Sequence, residues 1–162
     1  MNQVKKIPDG YEGIIPHIIV KNAIEAIEFY KNAFGAEEVY RYTLPDGKSI
    51  MHAVLKIGNS MLMLVDDLPD MCGAHCGSPS SIGGTCVFLH LYVDDVDILV
   101  DKAQEAGATI KIPLMDAFWG DRYGQLIDPY GHIWEVATHK RDMSIKEINN
   151  AAREAFAHMS KN

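Results

Sequence analysis

The chain has 162 residues, the length of one ordinary domain or of two small units sharing a core. Hydrophobic residues make up 48% and charged residues 23%, which excludes a disordered chain and supplies a core without a disulfide staple. Fifteen Lys and Arg against 22 Asp and Glu leave a net charge of −7, which excludes a basic surface for nucleic acid or an anionic membrane.

The opening stretch, MNQVKKIPDGYEG, has two lysines but no apolar h-region, so it does not read as a signal peptide. No apolar run approaches the roughly 18 residues of a membrane span. The three cysteines (Cys72, Cys76, Cys86) are an odd count, which argues against a secreted disulfide framework and for the cytoplasm.

Ile14 to Val20 reads as a strand. Asn22 follows as an N-cap with Glu25 three residues on, opening a helix over AIEAIEFYKNAF that Gly35 stops. Glu38 to Thr43 is a strand and Leu44-Pro45-Asp46-Gly47 a turn. Ile50 to Ile57 and Ser60 to Val65 are two more strands around Gly58-Asn59. The linker from Asp66 to Thr85 is rich in Gly, Ser, Pro and Asp and reads as a mobile loop.

The same order then returns. Val87 to Val93 is a strand, and Asp94 or Asp95 caps a helix, VDILVDKAQEA, that ends at Gly107. Thr109 to Pro113 is extended, Asp121 to Asp128 a strand, Pro129-Tyr130-Gly131 a turn, and His132 to Thr138 the last strand. The copies superpose at a shift of about 72 to 73 residues (Gly35 to Gly107, His17 to His90). Gly58 falls over Gly131, Met63 over Glu135 and His52 over Gln125. This is an α+β chain with tandem βαβββ units, about 13–66 and 86–140, in a single domain over 1–143. Each unit alone leaves one sheet face uncovered, so units must pair within or between chains. Ser144 with Glu147 opens a capping box for a C-terminal helix in 144–162.

The tandem pattern, AIEFYKNAFGAEE in the first unit and DPYGHIWEVATH in the last hairpin resemble the vicinal-oxygen-chelate superfamily. IPDGY, MHAVLKIGNS, LHLYVDDVD and FWGDRYGQLIDPYGHIWEVATH are similar to its PhnB-like glyoxalase/bleomycin-resistance branch. The resemblance covers about residues 7–143. It implies a curved eight-stranded mixed sheet around a cavity, in a homodimer. In metal-using members four ligands stand on the first and last strands of the two units. Those positions fall here on Ile15, Met63, Phe88 and Glu135. One carboxylate among Ile, Met and Phe does not make the usual divalent site, so the resemblance implies no such metal and no other cofactor.

Side chains two apart on a strand share a face. The fully aliphatic rows suit helix packing. The opposite rows then place His17, His52, His90, Gln125 and Glu135 in the cavity, with Met61, Met63, Phe88, Tyr92, Trp119 and Tyr123 as walls. His17, His90 and Glu135 are the candidate acid–base groups. Phe118 to Gly124 lies where the family places a mobile loop over the cavity mouth. There Arg122 is positioned either to pair with a ligand carboxylate or phosphate or to make a local ion pair. His139 ties down the C-terminal segment, His132 belongs to its turn, and Cys86 is a small buried hydrophobe. Met71 to Cys76, with two thiols and one imidazole, lacks the second half of a zinc site.

Three readings follow. The first is a protein that binds a small planar or aromatic molecule without the usual metal. The second is a lyase, isomerase or dioxygenase with a divalent metal at an offset His17, His90 and Glu135 site. The third is an interaction protein with a filled cavity.

Overall fold

In the computed structural model, which describes residues 4–72 and 76–159, both units take the same path. The first comprises β1 (His17–Val20), α1 (Ala23–Phe34), β2 (Glu37–Thr43), β3 (Ile50–Ile57) and β4 (Ser60–Asp66). Two single-turn helices follow, α2 (Pro69–Cys72) and α3 (Pro79–Ile82). The second unit comprises β5 (Phe88–Tyr92), α4 (Val96–Glu105), β6 (Thr109–Asp116), β7 (Asp121–Ile127) and β8 (Ile133–His139), and α5 (Ile145–Met159) follows. Among the described residues no helix is long and apolar enough to cross a membrane.

The strands bond as two mixed four-stranded sheets, in the orders β1-β4-β3-β2 and β5-β8-β7-β6. The expected eight-stranded array is interrupted between the edge strands β1 and β5. β1 begins at His17 rather than Ile14, after a proline that has no N–H to give a ladder. The Ile19 carbonyl is taken by His132 Nε2 at 3.0 Å rather than by a strand neighbour. His132 is therefore buried and joins the two units, beyond the turn role expected of it.

Helix boundaries follow local chemistry. Asn22, at φ 58°, accepts the Glu25 N–H, and Gly35, at φ 65°, closes α1. Asp95 accepts the Ile98 N–H at the start of α4. The last strand of each unit also ties its helix to the sheet. Asp66 accepts the N–H groups of Ala23 and Ile50 at 2.7 and 2.6 Å. Its counterpart Thr138 accepts the Val96 N–H at 2.8 Å.

The helix-covered faces share one core. Ile18, Val20, Leu55 and Leu64 from the first sheet join Leu126, Trp134 and Val136 from the second around α1 and α4. The Phe34 ring lies 4.4 Å from that of Trp134. Tyr30 donates to the buried Asp128 at 2.8 Å, and Trp134 Nε1 donates to the same oxygen at 3.0 Å. Fully burying a side chain of this size contributes roughly 1.5–3 kcal/mol, so these contacts, not the linker, hold the units together.

Three expectations change. The linker is organised by Asp67, whose carboxylate accepts from the Ser78 N–H, the Ser78 hydroxyl and the Ser81 hydroxyl. β6 runs on to Asp116, so the expected mouth loop shrinks to a turn over 117–120 and Asp121–Gly124 belong to β7. Cys86 is exposed, because it precedes β5 instead of lying within it. The Met71 to Cys76 motif falls largely outside the described residues.

Candidate functional site

The faces away from the helices carry the histidine rows. Along β5 the residues alternate, with Phe88, His90 and Tyr92 exposed and Leu89 and Leu91 turned toward the core. Parallel pairing sets His90 opposite Glu135, and antiparallel pairing sets Glu135 opposite Gln125. Three neighbouring strands thus deliver four polar side chains to one spot.

Glu135 is their centre. Its Oε1 accepts from the Tyr123 hydroxyl at 2.6 Å and from Gln125 Nε2 at 3.1 Å, and its Oε2 lies 3.1 Å from His90 Nδ1. Gln125 Nε2 also donates to the Tyr123 oxygen at 2.7 Å. Burial pushes the Glu135 carboxyl up, but bonds from Tyr123, His90 and Gln125 outweigh it and hold the group below its ordinary value. The carboxylate is ionised at neutral pH, so Nδ1 of His90 carries the proton and donates. Nε2 of His90 is engaged by no protein group among the described residues. Burial, then the bond to Glu135, raises the Tyr123 phenol, which stays protonated.

A second carboxylate, Asp121, organises the aromatic rim and was not singled out from the sequence. Its side chain is only 3% exposed. It accepts from the Tyr92 hydroxyl at 2.7 Å, Trp119 Nε1 at 2.9 Å and His139 Nδ1 at 2.7 Å. Burial pushes this carboxyl up, and the three donors, His139 foremost, bring it below its usual value. His139 also reaches Asp142 at 3.0 Å, so it does tie down the segment leading to α5. The one sequence signal for Asp121 is its parity with Tyr123 and Gln125 on β7. A cleft of about 520 Å³ opens between this rim and the start of α5, bordered by Trp119, Asp121, His139 and Ile148.

The remaining candidates are placed as follows. Phe88 is 49% exposed, with Lys111 Nζ 5.4 Å above its ring centre. Trp119 packs edge-on to Tyr123 at 5.3 Å. Arg122 lies on the other face of β7 and forks onto Asp97 of α4 at 2.6 and 2.7 Å, so it takes the local ion pair and is not turned to the open face. His17, His52 and Met63 lie on the first sheet. The rings of His17 and His52 meet at 5.3 Å, and no contact joins either to His90 or Glu135. Two cavities run along the seam between β1 and β5. His90 borders one of about 470 Å³ and His17 the other of about 310 Å³.

The register also corrects one equivalence. Val54 pairs with Met63 as Gln125 pairs with Glu135, so Val54, not His52, is the counterpart of Gln125. His52 corresponds to Tyr123. Among the described residues no three His, Cys, Asp or Glu side chains gather closely enough to hold a metal. The offset His17, His90 and Glu135 set is therefore not assembled by this chain.

Two βαβββ units, each with its first strand parallel to its last and a polar cluster on the uncovered face, define a class of protein, and comparison with known proteins agrees. A family model described as the glyoxalase/bleomycin resistance protein/dioxygenase superfamily matches residues 14–136. The chain belongs to that superfamily. Rv0887c, an uncharacterized protein of Mycobacterium tuberculosis H37Rv, is 46% identical over 136 residues, covering 84% of this chain and 79% of its own. Among solved structures, TioX from Micromonospora sp. ML1 superposes with a TM-score of 0.63 at 26% identity, over 79% of this chain and 98% of its own. A PhnB protein from Bacillus cereus shares the fold, with a TM-score of 0.60 at 18% identity over 78% of this chain and 99% of its own.

Proposed function

We propose that this protein binds a small planar or aromatic molecule on the open face of its second sheet, as a homodimer and without the four-ligand metal site of other superfamily members. The observation that carries the reading is the His90–Glu135 pair set among exposed and half-buried rings. Phe88 and Tyr92 offer flat faces, and Trp119 and Tyr123 are held in place by Asp121 and Glu135. Nε2 of His90 supplies one directional hydrogen bond to the ligand. A mostly apolar surface with a few convergent polar groups is the usual form of a small-molecule site.

Both of Glu135's oxygens accept from protein donors, so it orients His90, Tyr123 and Gln125 at the ligand site. Each open face also leaves large apolar side chains uncovered, such as Tyr42 at 62% and Tyr92 at 57%, and a second copy would cover them.

The test is a thermal-shift screen of planar aromatic compounds, followed by calorimetric titration. A compound that raises the melting temperature of the wild type and saturates is expected. Phe88→Ala, His90→Ala and Trp119→Ala should each weaken its binding by at least roughly tenfold, the loss of about 1.4 kcal/mol of contact energy. Binding undiminished in all three variants, or no saturable compound, sinks the reading.

A further inference from the structure

The first sheet's open face has its own cluster, independent of the His90–Glu135 site. His17 on β1 and His52 on β3 lean toward each other across β4, and their rings meet edge to face at 5.3 Å with 87° between planes. Among the described residues neither ring enters a hydrogen bond. His17 is exposed and His52 half-buried, so neither ring is committed to a protein partner and both stand on the open side of the sheet. Beneath them runs β4. Met63 is the direct partner of His17, and Val54, two residues beyond His52, is the other partner of Met63. Strand parity puts the Met63 thioether on the same face as both rings, and the side chain is half-buried there.

From this juxtaposition we infer that His17, His52 and Met63 form a binding site for a soft monovalent metal ion, copper(I) or silver(I). A metal about 2.0 Å from one nitrogen of each ring holds the ring centres roughly 5–6 Å apart, the separation already present. The edge-to-face angle is adjusted by turning about χ2, a broad torsion for histidine that needs no backbone movement. The third donor selects the ion. No third His, Cys, Asp or Glu stands near, so a hard or borderline divalent ion is short of ligands. A neutral thioether with two neutral imidazoles suits a soft ion of low charge. The Tyr40 ring, 5.9 Å from His52, walls the site on one side.

The thiols of Cys72, Cys76 and Cys86 also take soft ions, so the test uses the full-length chain with all three changed to serine. Copper(I) is titrated anaerobically in competition with a coloured copper(I) chelator, and silver(I) is followed by the ¹⁵N shifts of the histidine rings. One equivalent of metal is expected, with shifts confined to His17 and His52. His17→Gln, His52→Gln and Met63→Leu should each weaken binding at least roughly tenfold while leaving the melting curve in place, and zinc should bind more weakly than copper(I) by a similar factor. Three results overturn the inference: no stoichiometric metal, shifts at other histidines, or Met63→Leu silent with zinc held as tightly as copper(I). Should a variant fail to fold, the ring shifts of the parent chain still decide the outcome.

Discussion

Asp121 shows how one buried carboxylate can set several groups at once. It fixes two aromatic side chains and one imidazole, and through His139 it reaches the approach to α5. The two carboxylates then hold His139 above its ordinary value, the Asp121 bond contributing most. A raised histidine stabilises the fold fully below its unfolded value, near pH 6.5, and that contribution is lost as pH rises through the folded value. Asp121 and Glu135 are lowered, so their contributions hold above about pH 4 and are lost as pH falls through their folded values. The urea midpoint should therefore peak between about pH 5 and 6.5 and fall on both sides. His139→Gln should flatten the alkaline limb and, because it removes the foremost donor to Asp121, also weaken the part of the acid limb that Asp121 supplies, leaving the Glu135 part in place. An alkaline limb unchanged by that substitution would place its cause elsewhere.

At the scale of elements, burial separates the helices. α1 buries Phe34 against Trp134, whereas Phe156 on α5 stays 60% exposed and touches Phe118 only at its edge, 6.1 Å away. Phe34→Ala should cost about 3–5 kcal/mol in equilibrium urea unfolding, and Phe156→Ala no more than about 1 kcal/mol. Comparable losses would mean that α5 is packed in solution against something this chain does not supply. Capping residues, glycine stops and alternating rows made these elements legible in the sequence. Asn22, Gly35, Asp95 and the Ser144–Glu147 box all act as their chemistry dictates. Parity likewise put His90, Gln125 and Glu135 on one face. Of the two roles open to Arg122, the structure gives the local ion pair, as its alternation with Tyr123 and Gln125 along β7 requires. Asp121 was illegible because its role depends on donors 29 residues before it and 18 after it, a convergence no local pattern carries. The separation of His17 from His90 depends on how two sheets meet, which strand parity does not address.

The whole molecule is two sheets joined on their helix sides, with two faces left open. For a chain of this size that amount of uncovered aromatic surface favours self-association. Sedimentation equilibrium should give about twice the chain mass, and a Tyr42→Glu, Phe88→Glu double variant should sediment as a folded single chain. A wild type that remains a single chain at high micromolar concentration would contradict the homodimer. The inter-unit core has another consequence. Tyr30 with Asp128, and Phe34 with Trp134, connect the halves without any covalent help. Gly83 and Gly84 stand exposed in the connecting stretch. A polypeptide severed between them should keep its two fragments together through gel filtration, and fragments produced separately should find each other on mixing. The peptide bond there serves mainly to deliver both halves at equal dose and high local concentration, which is the property sought in a two-piece complementation reporter.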